Sequence, residues 1–145
     1  MSDQFHERPL VLLNAAPITK NGTATGEWYN CPRAQAFNFC YRITSAGAPD
    51  ITIYIDYWLW PKGDTVKVAD IPPTFTPTAF APEYAAVDND ISVSLVTGVL
   101  TLDAWTHVDT PDGLKYPFAC CRARAVENNV AAVTGITVVM GYQGL

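Results

Sequence analysis

Two histidines, four cysteines and a thin scatter of carboxylates are the residues of this chain whose chemistry extends beyond packing. His6 lies in a polar leader, and His107 lies close to Trp105 near the end of an extended segment. Neither belongs to a nucleophile elbow, a Cys-His signature or a zinc-binding spacing, so both read as surface residues. Asp88-Asn89-Asp90, and Asp109 with Asp112, offer oxygen ligands of the kind calcium takes. They lack the twelve-residue loop with a terminal Glu and fall where turns are expected. Cys31, Cys40, Cys120 and Cys121 allow three pairings if oxidised. Cys120 and Cys121 are adjacent on a predicted strand and point to opposite faces, a poor geometry for a bond, so buried free thiols are expected. No phosphate-cradling glycine loop is present. These residues point to no catalytic centre and to no cofactor or metal.

The strongest local signal is the run Asp50-Ile51-Thr52-Ile53-Tyr54-Ile55-Asp56-Tyr57-Trp58-Leu59-Trp60. Successive side chains of a strand point to opposite faces, so Ile51, Ile53, Ile55, Tyr57 and Leu59 make a core face. Thr52, Tyr54, Asp56, Trp58 and Trp60 make the other, a surface rich in aromatics that Trp28 or Trp105 can join. Such a surface suits stacking on sugar rings, or cover by a second sheet or a neighbouring subunit. An aromatic patch left in water is a liability, which favours cover. Arg122 and Arg124, two apart on one strand face, form the one basic cluster. They are expected to pair with nearby carboxylates or to line a protein interface.

The elements that must position these residues follow from composition and pattern. At 145 residues the chain is long enough for a single domain burying roughly 68–70% of its unfolded surface. Charged residues are 16% and hydrophobic ones 49%, with 11 Pro and 9 Gly, a balance that excludes disorder and fits many strands joined by turns. A net charge of −5 opposes nucleic-acid binding. No stretch approaches the length of a membrane span, and the leader has no apolar core of a signal peptide, so folding in a reducing cytosol is expected. Asn21-Gly22-Thr23 matches a glycosylation sequon and reads as a turn in that setting.

Residues 1–9 read as a polar arm, followed by a short apolar strand through Asn14. Asn21-Gly22 predicts a hairpin with a primed turn, and Pro32 predicts a break after a strand begun at Glu27. Phe37, Phe39, Tyr41 and Ile43 share a core face, and Gly47-Ala48-Pro49-Asp50 predicts a turn that pairs this strand with the aromatic one as a central hairpin. The insertion 62–90 is proline-rich; Pro72, Pro73, Pro77 and Pro82 remove four backbone donors, which predicts a long surface loop. A short edge strand over 65–69 and one or two helical turns over 82–87 are expected at its ends. Strands return at Ile91, Val93 and Leu95; after a turn at Thr97-Gly98 at Leu100 and Leu102; at Tyr116, Phe118 and Cys120; and at 136–142. The prediction is all-β: an antiparallel β-sandwich of about seven or eight strands with a long proline-rich loop.

The order of these features resembles small β-sandwich virion proteins of tailed bacteriophages. The resemblance is carried by Val11-Leu12-Leu13-Asn14-Ala15-Ala16, by the segments 37–41 and 51–55, and by the arginine-bearing strand 116–125 with the polar turn Glu127-Asn128-Asn129. It covers most of the chain outside 62–90, as a pattern of residue types. It implies a non-enzymatic virion protein, foremost a capsid decoration protein bound to the outer capsid surface as a homo-oligomer, assembled in the host cytoplasm. Its partners would be the major capsid protein or other virion proteins. A neck or tail accessory protein, or a carbohydrate-binding module using Trp58 and Trp60, are the alternatives. The residues expected to meet a partner are Tyr54, Trp58 and Trp60 on the aromatic strand, Phe75, Phe80 and Tyr84 in the insertion, and Arg122 and Arg124.

Overall fold

The computed structural model describes residues 6–58, 91–109 and 118–144. The insertion 62–90, with the strand and helical turns expected in it, lies outside them. The described residues form eight strands: β1 (His6–Ile18), β2 (Thr23–Thr25), β3 (Tyr29–Thr44), β4 (Asp50–Trp58), β5 (Ile91–Val99), β6 (Thr106–Val108), β7 (Phe118–Glu127) and β8 (Val133–Gly144). All pairings are antiparallel. The fold is the antiparallel β-sandwich that the alternating sequence predicts.

The hydrogen-bonded order β1-β8-β3-β7-β4-β5, with β2 on β7 and β6 on β3, is continuous on paper. It folds into two four-stranded sheets because β3 serves both. Its first residues, Tyr29 and Asn30, pair with Cys121 and Cys120 of β7, and its later residues, Ala36 to Thr44, pair with β8. One sheet is therefore β2-β7-β4-β5 and the other β6-β3-β8-β1. A register shift between Asn30 and Ala34 marks the crossing. Pro32 falls within it, where a missing N–H removes no ladder bond. The expected break at Pro32 is thus a bend inside one sixteen-residue strand.

Alternation predicted the buried faces well. Ile51, Ile53, Ile55 and Tyr57 are fully buried, as are Phe39 and Ile43, with Tyr41 nearly so. Opposite them lie Cys121, Ala123 and Ala125 of β7 and Ile136, Val138 and Met140 of β8. The small β7 residues let β4 and the second sheet's larger side chains interdigitate.

Neighbour relations differ from expectation in three places. The strands 37–43 and 51–57 do not pair as a hairpin: residues 45–49 carry the chain from one sheet to the other, so the two face each other across the core. Period two fixes which side of a strand is apolar and leaves its neighbour open. Asn21-Gly22 is a turn, with Gly22 N–H bonded to Thr19 C=O at 2.8 Å and Asn21 at φ 61°. It joins β1 to β2 in the opposite sheet rather than closing a hairpin. Thr97-Gly98 is no turn, because β5 runs through it to Val99. Gly98 stays in regular register opposite Ile51 and takes φ 124°, a conformation open to glycine. Leu100 and Leu102 then lie in the connection to β6 rather than in a strand.

The loop crossings at 19–22, 45–49 and 128–132 gather at one end of the sandwich, and Glu127 ties all three. Its buried carboxylate accepts the Asn21 N–H at 3.0 Å and the Val130 N–H at 2.9 Å. Its own N–H bonds Gly22 C=O, and the next residue, Asn128, bonds Asp50 C=O. A fourth crossing, before β6, is fixed by Asp103 N–H on Ile43 C=O.

Gly26 marks where β1 runs close over the β2–β3 junction. A Cβ there would stand 2.2 Å from the Leu12 carbonyl oxygen. Backbone cannot yield as a side-chain end can, so Gly26→Ala is expected to lower unfolding free energy by about 1–3 kcal/mol, read by urea denaturation. An unchanged midpoint would mean that β1 does not pack this closely.

Candidate functional site

The outward face of the β2-β7-β4-β5 sheet carries the layer that stands out. Asp56 on β4 is directly opposite Arg122 of β7 on one side and Ser92 of β5 on the other. Its side chain is only 1% exposed although it faces away from the core. Cross-strand neighbours supply every bond: Arg122 Nε donates to Oδ2 at 2.9 Å, and Ser92 Oγ donates to Oδ1 at 2.5 Å. Arg124, on the diagonal, donates from Nε to Oδ2 at 3.2 Å and from Nη2 to Oδ1 at 3.3 Å. Diagonal pairs in a sheet are within reach of a side chain as long as arginine.

Each arginine is covered in turn by an aromatic ring. Arg124 lies directly opposite Tyr54 in the register, and its guanidinium stands 4.3 Å from that ring's centre. Tyr29 pairs with Cys121, which brings Trp28 beside Arg122 at 4.7 Å from ring centre to guanidinium. Both distances suit cation–π attraction. The result is one row of alternating partners, Trp28, Arg122, Asp56, Arg124 and Tyr54, drawn from three neighbouring chain segments. Beside it, Thr52 and Thr97 share a hydrogen bond of 2.8 Å, and Asn128 Nδ2 donates to Thr52 Oγ1 at 3.1 Å.

Burial opposes ionisation of Asp56. The hydrogen bonds from Arg124, Ser92 and Arg122, with the Arg124 charge, outweigh it, so the carboxyl titrates below its ordinary value. Glu127 behaves alike: burial raises it, and the N–H groups of Asn21, Val130, Ala131 and Asp50 bring it down overall. Cys40 goes the other way, since burial alone pushes its thiol up and weakens it as a nucleophile.

Of the residues expected at the partner surface, Tyr54, Arg122 and Arg124 are brought together. Trp58 follows on the same strand, opposite Cys120 in the register. Trp60, Phe75, Phe80 and Tyr84 lie outside the described residues. Trp28 joins the row, whereas Trp105 stands exposed beside β6, on the other sheet. Asp56 and Ser92 were not singled out from sequence as site residues. A lone Asp amid Ile, Tyr and Trp, matched by an Arg-x-Arg strand, is the signal that could have found Asp56.

His107 Nε2 sits 3.6 Å from Asp109 Oδ1 on an exposed stretch after Trp105. Cys120 and Cys121 are buried and Cys40 is half-buried, and the Cys121 thiol lies 3.9 Å from the Met140 sulfur. Among the described residues no group of three His, Cys, Asp or Glu is placed to hold a metal, and no helix is long and apolar enough to cross a membrane. Comparison with family models, with curated proteins and with solved structures finds no match to this chain.

A depressed carboxyl contributes stability that is complete above the unfolded-state value and lost as pH falls through the folded one. Asp56 and Glu127 both act in this sense, so acid destabilisation is expected to set in below about pH 4. Asp56→Asn removes one contribution and should flatten that slope when thermal midpoints are followed between neutral and acid pH; an unaltered slope would contradict the pairing. At neutral pH, Asp56→Ala leaves two guanidinium groups facing an emptied, water-poor site, at a cost of about 3 kcal/mol by denaturant melts. A loss near zero would mean that solvent already screens the row.

Proposed function

We propose that this protein is a non-enzymatic structural protein of a tailed-bacteriophage particle, a capsid decoration protein that docks through the outer face of its β2-β7-β4-β5 sheet. The observation that carries the reading is the locked row Trp28-Arg122-Asp56-Arg124-Tyr54. Aromatic residues and arginine are the side chains over-represented at interface centres, and they bind best when their rotamers are fixed before the partner arrives. Here each is held by its neighbour, and the arginine side chains remain 23% and 28% exposed. The exposed part of each arginine offers guanidinium donors to a partner.

The sheet edges favour association by this face over strand addition. β1 shifts register three times against β8, and β5 shifts once against β4. Bulged edges are poor templates for another strand. The resemblance to virion proteins supplies the setting, and the acidic net charge suits the outside of a capsid, away from packaged DNA.

The experiment is mass spectrometry of purified particles from the phage that encodes the chain, followed by add-back of purified protein to particles lacking it. The polypeptide is expected in the particles, and Tyr54→Ala should weaken rebinding at least about thirtyfold. Particles without the chain, or a Tyr54→Ala variant that rebinds like the parent, would overturn the proposal.

A further inference from the structure

On the outward face of the opposite sheet lies a second feature, which the docking reading does not use. β1 carries a bulge: Leu13 pairs with Val138 and Ala16 with Ile136, so Asn14 and Ala15 together face Thr137. Ala15 takes φ 48°, a left-handed conformation that costs an alanine roughly 1–2 kcal/mol. Its N–H donates to Thr137 Oγ1 at 3.0 Å. Beside this bulge is an open depression of about 230 Å³, lined by Ala15, Arg42, Thr44, Thr134, Gly135 and Thr137. Arg42 and Thr137 are cross-strand partners, as are Thr44 and Gly135.

Three observations make this hollow more than a gap between side chains. Among the described residues Arg42 makes no ion pair and no side-chain hydrogen bond, in a chain with fourteen acids and nine bases. Thr137 Oγ1 already accepts from Ala15, which leaves its own O–H free to donate towards the hollow. Gly135 is required neither by backbone conformation nor by crowding. Its φ is not in the left-handed range, and a Cβ there would meet Ala15 at 3.4–3.5 Å, an ordinary contact. What glycine does at 135 is leave the hollow open.

The geometry points to a binding site for a small carboxylic acid, with its carboxylate on Arg42 and the Thr137 hydroxyl and its carbon chain over Gly135 and Ala15. A guanidinium presents a fork that matches a planar carboxylate. One cation in an acidic chain suits a monoanionic head better than a phosphate dianion. The volume equals that of roughly seven or eight waters, room for an acid of a few carbons. Strain held at a bulge beside a site is a recurring sign that the backbone is shaped for a ligand.

The test is amide and arginine Nε–H NMR of the full chain titrated with butyrate, with the neutral butyramide and with inorganic phosphate. Butyrate is expected to shift Arg42, Gly135 and Thr137 resonances saturably, and butyramide and phosphate to leave them in place. Arg42→Gln should weaken the butyrate effect at least about tenfold. Gly135→Val, which fills the hollow from a different strand, should do the same while the remaining spectrum shows the fold intact. Equal shifts with butyramide, tighter binding of phosphate, no saturation with butyrate up to ~50 mM, or unchanged titration in the folded Arg42→Gln protein would each overturn the site.

Discussion

A carboxylate withdrawn from water on the outside of a sheet is the interaction on which this molecule's most distinctive surface depends. Asp56 is almost fully covered without being part of the core. It stays ionised only because two guanidinium groups and a hydroxyl occupy both of its oxygens. Three strands must be in register for those donors to converge. Once they do, the arginines lose their freedom, and the rings of Trp28 and Tyr54 have fixed planes to stack on. Charge satisfaction, strand register and surface shape are therefore one constraint seen at three scales.

The two acids buried among the described residues divide the work. Glu127 gathers backbone amides from separate crossings at one end, where each sheet hands its chain to the other. Its partners are main-chain groups, so it specifies topology. Asp56 is bound by side chains on a face, so it specifies a surface. A buried carboxylate is weak evidence for stability, because its desolvation cancels much of what its partners return. The better account of Asp56 is that it fixes conformation, and a fixed arginine–aromatic surface is what a docking face needs.

Much of this was legible in the sequence, and the rest fails for identifiable reasons. Period-two alternation in 39–43 and 51–57 gave the buried faces correctly, because side-chain direction in a strand is a local property. The pairing of those two strands was misread, because strand neighbours depend on where a connection crosses the core, and Gly47-Ala48-Pro49 serves a crossing as well as a hairpin. Asn21-Gly22 has the same ambiguity: its left-handed turn is local, its destination is not. Pro32 was legible as an interruption but not as the bend that lets β3 join both sheets. At the site, Tyr54, Arg122 and Arg124 were visible as types on faces. Their convergence on Asp56 was not, since it needs the β4–β7 register, which no single segment encodes.

The measurement that bears most directly on a surface locked by Asp56 is hydrogen exchange at the Arg122 and Arg124 Nε–H groups, followed by ¹⁵N NMR in the parent and in Asp56→Asn. The account predicts two resolved, slowly exchanging Nε–H signals at neutral pH in the parent. Both should move towards the fast exchange of free arginine in the variant, while backbone amides of β4 and β7 stay dispersed. Nε–H signals that exchange rapidly in the parent, or that keep their protection once Asp56 is replaced, would contradict it.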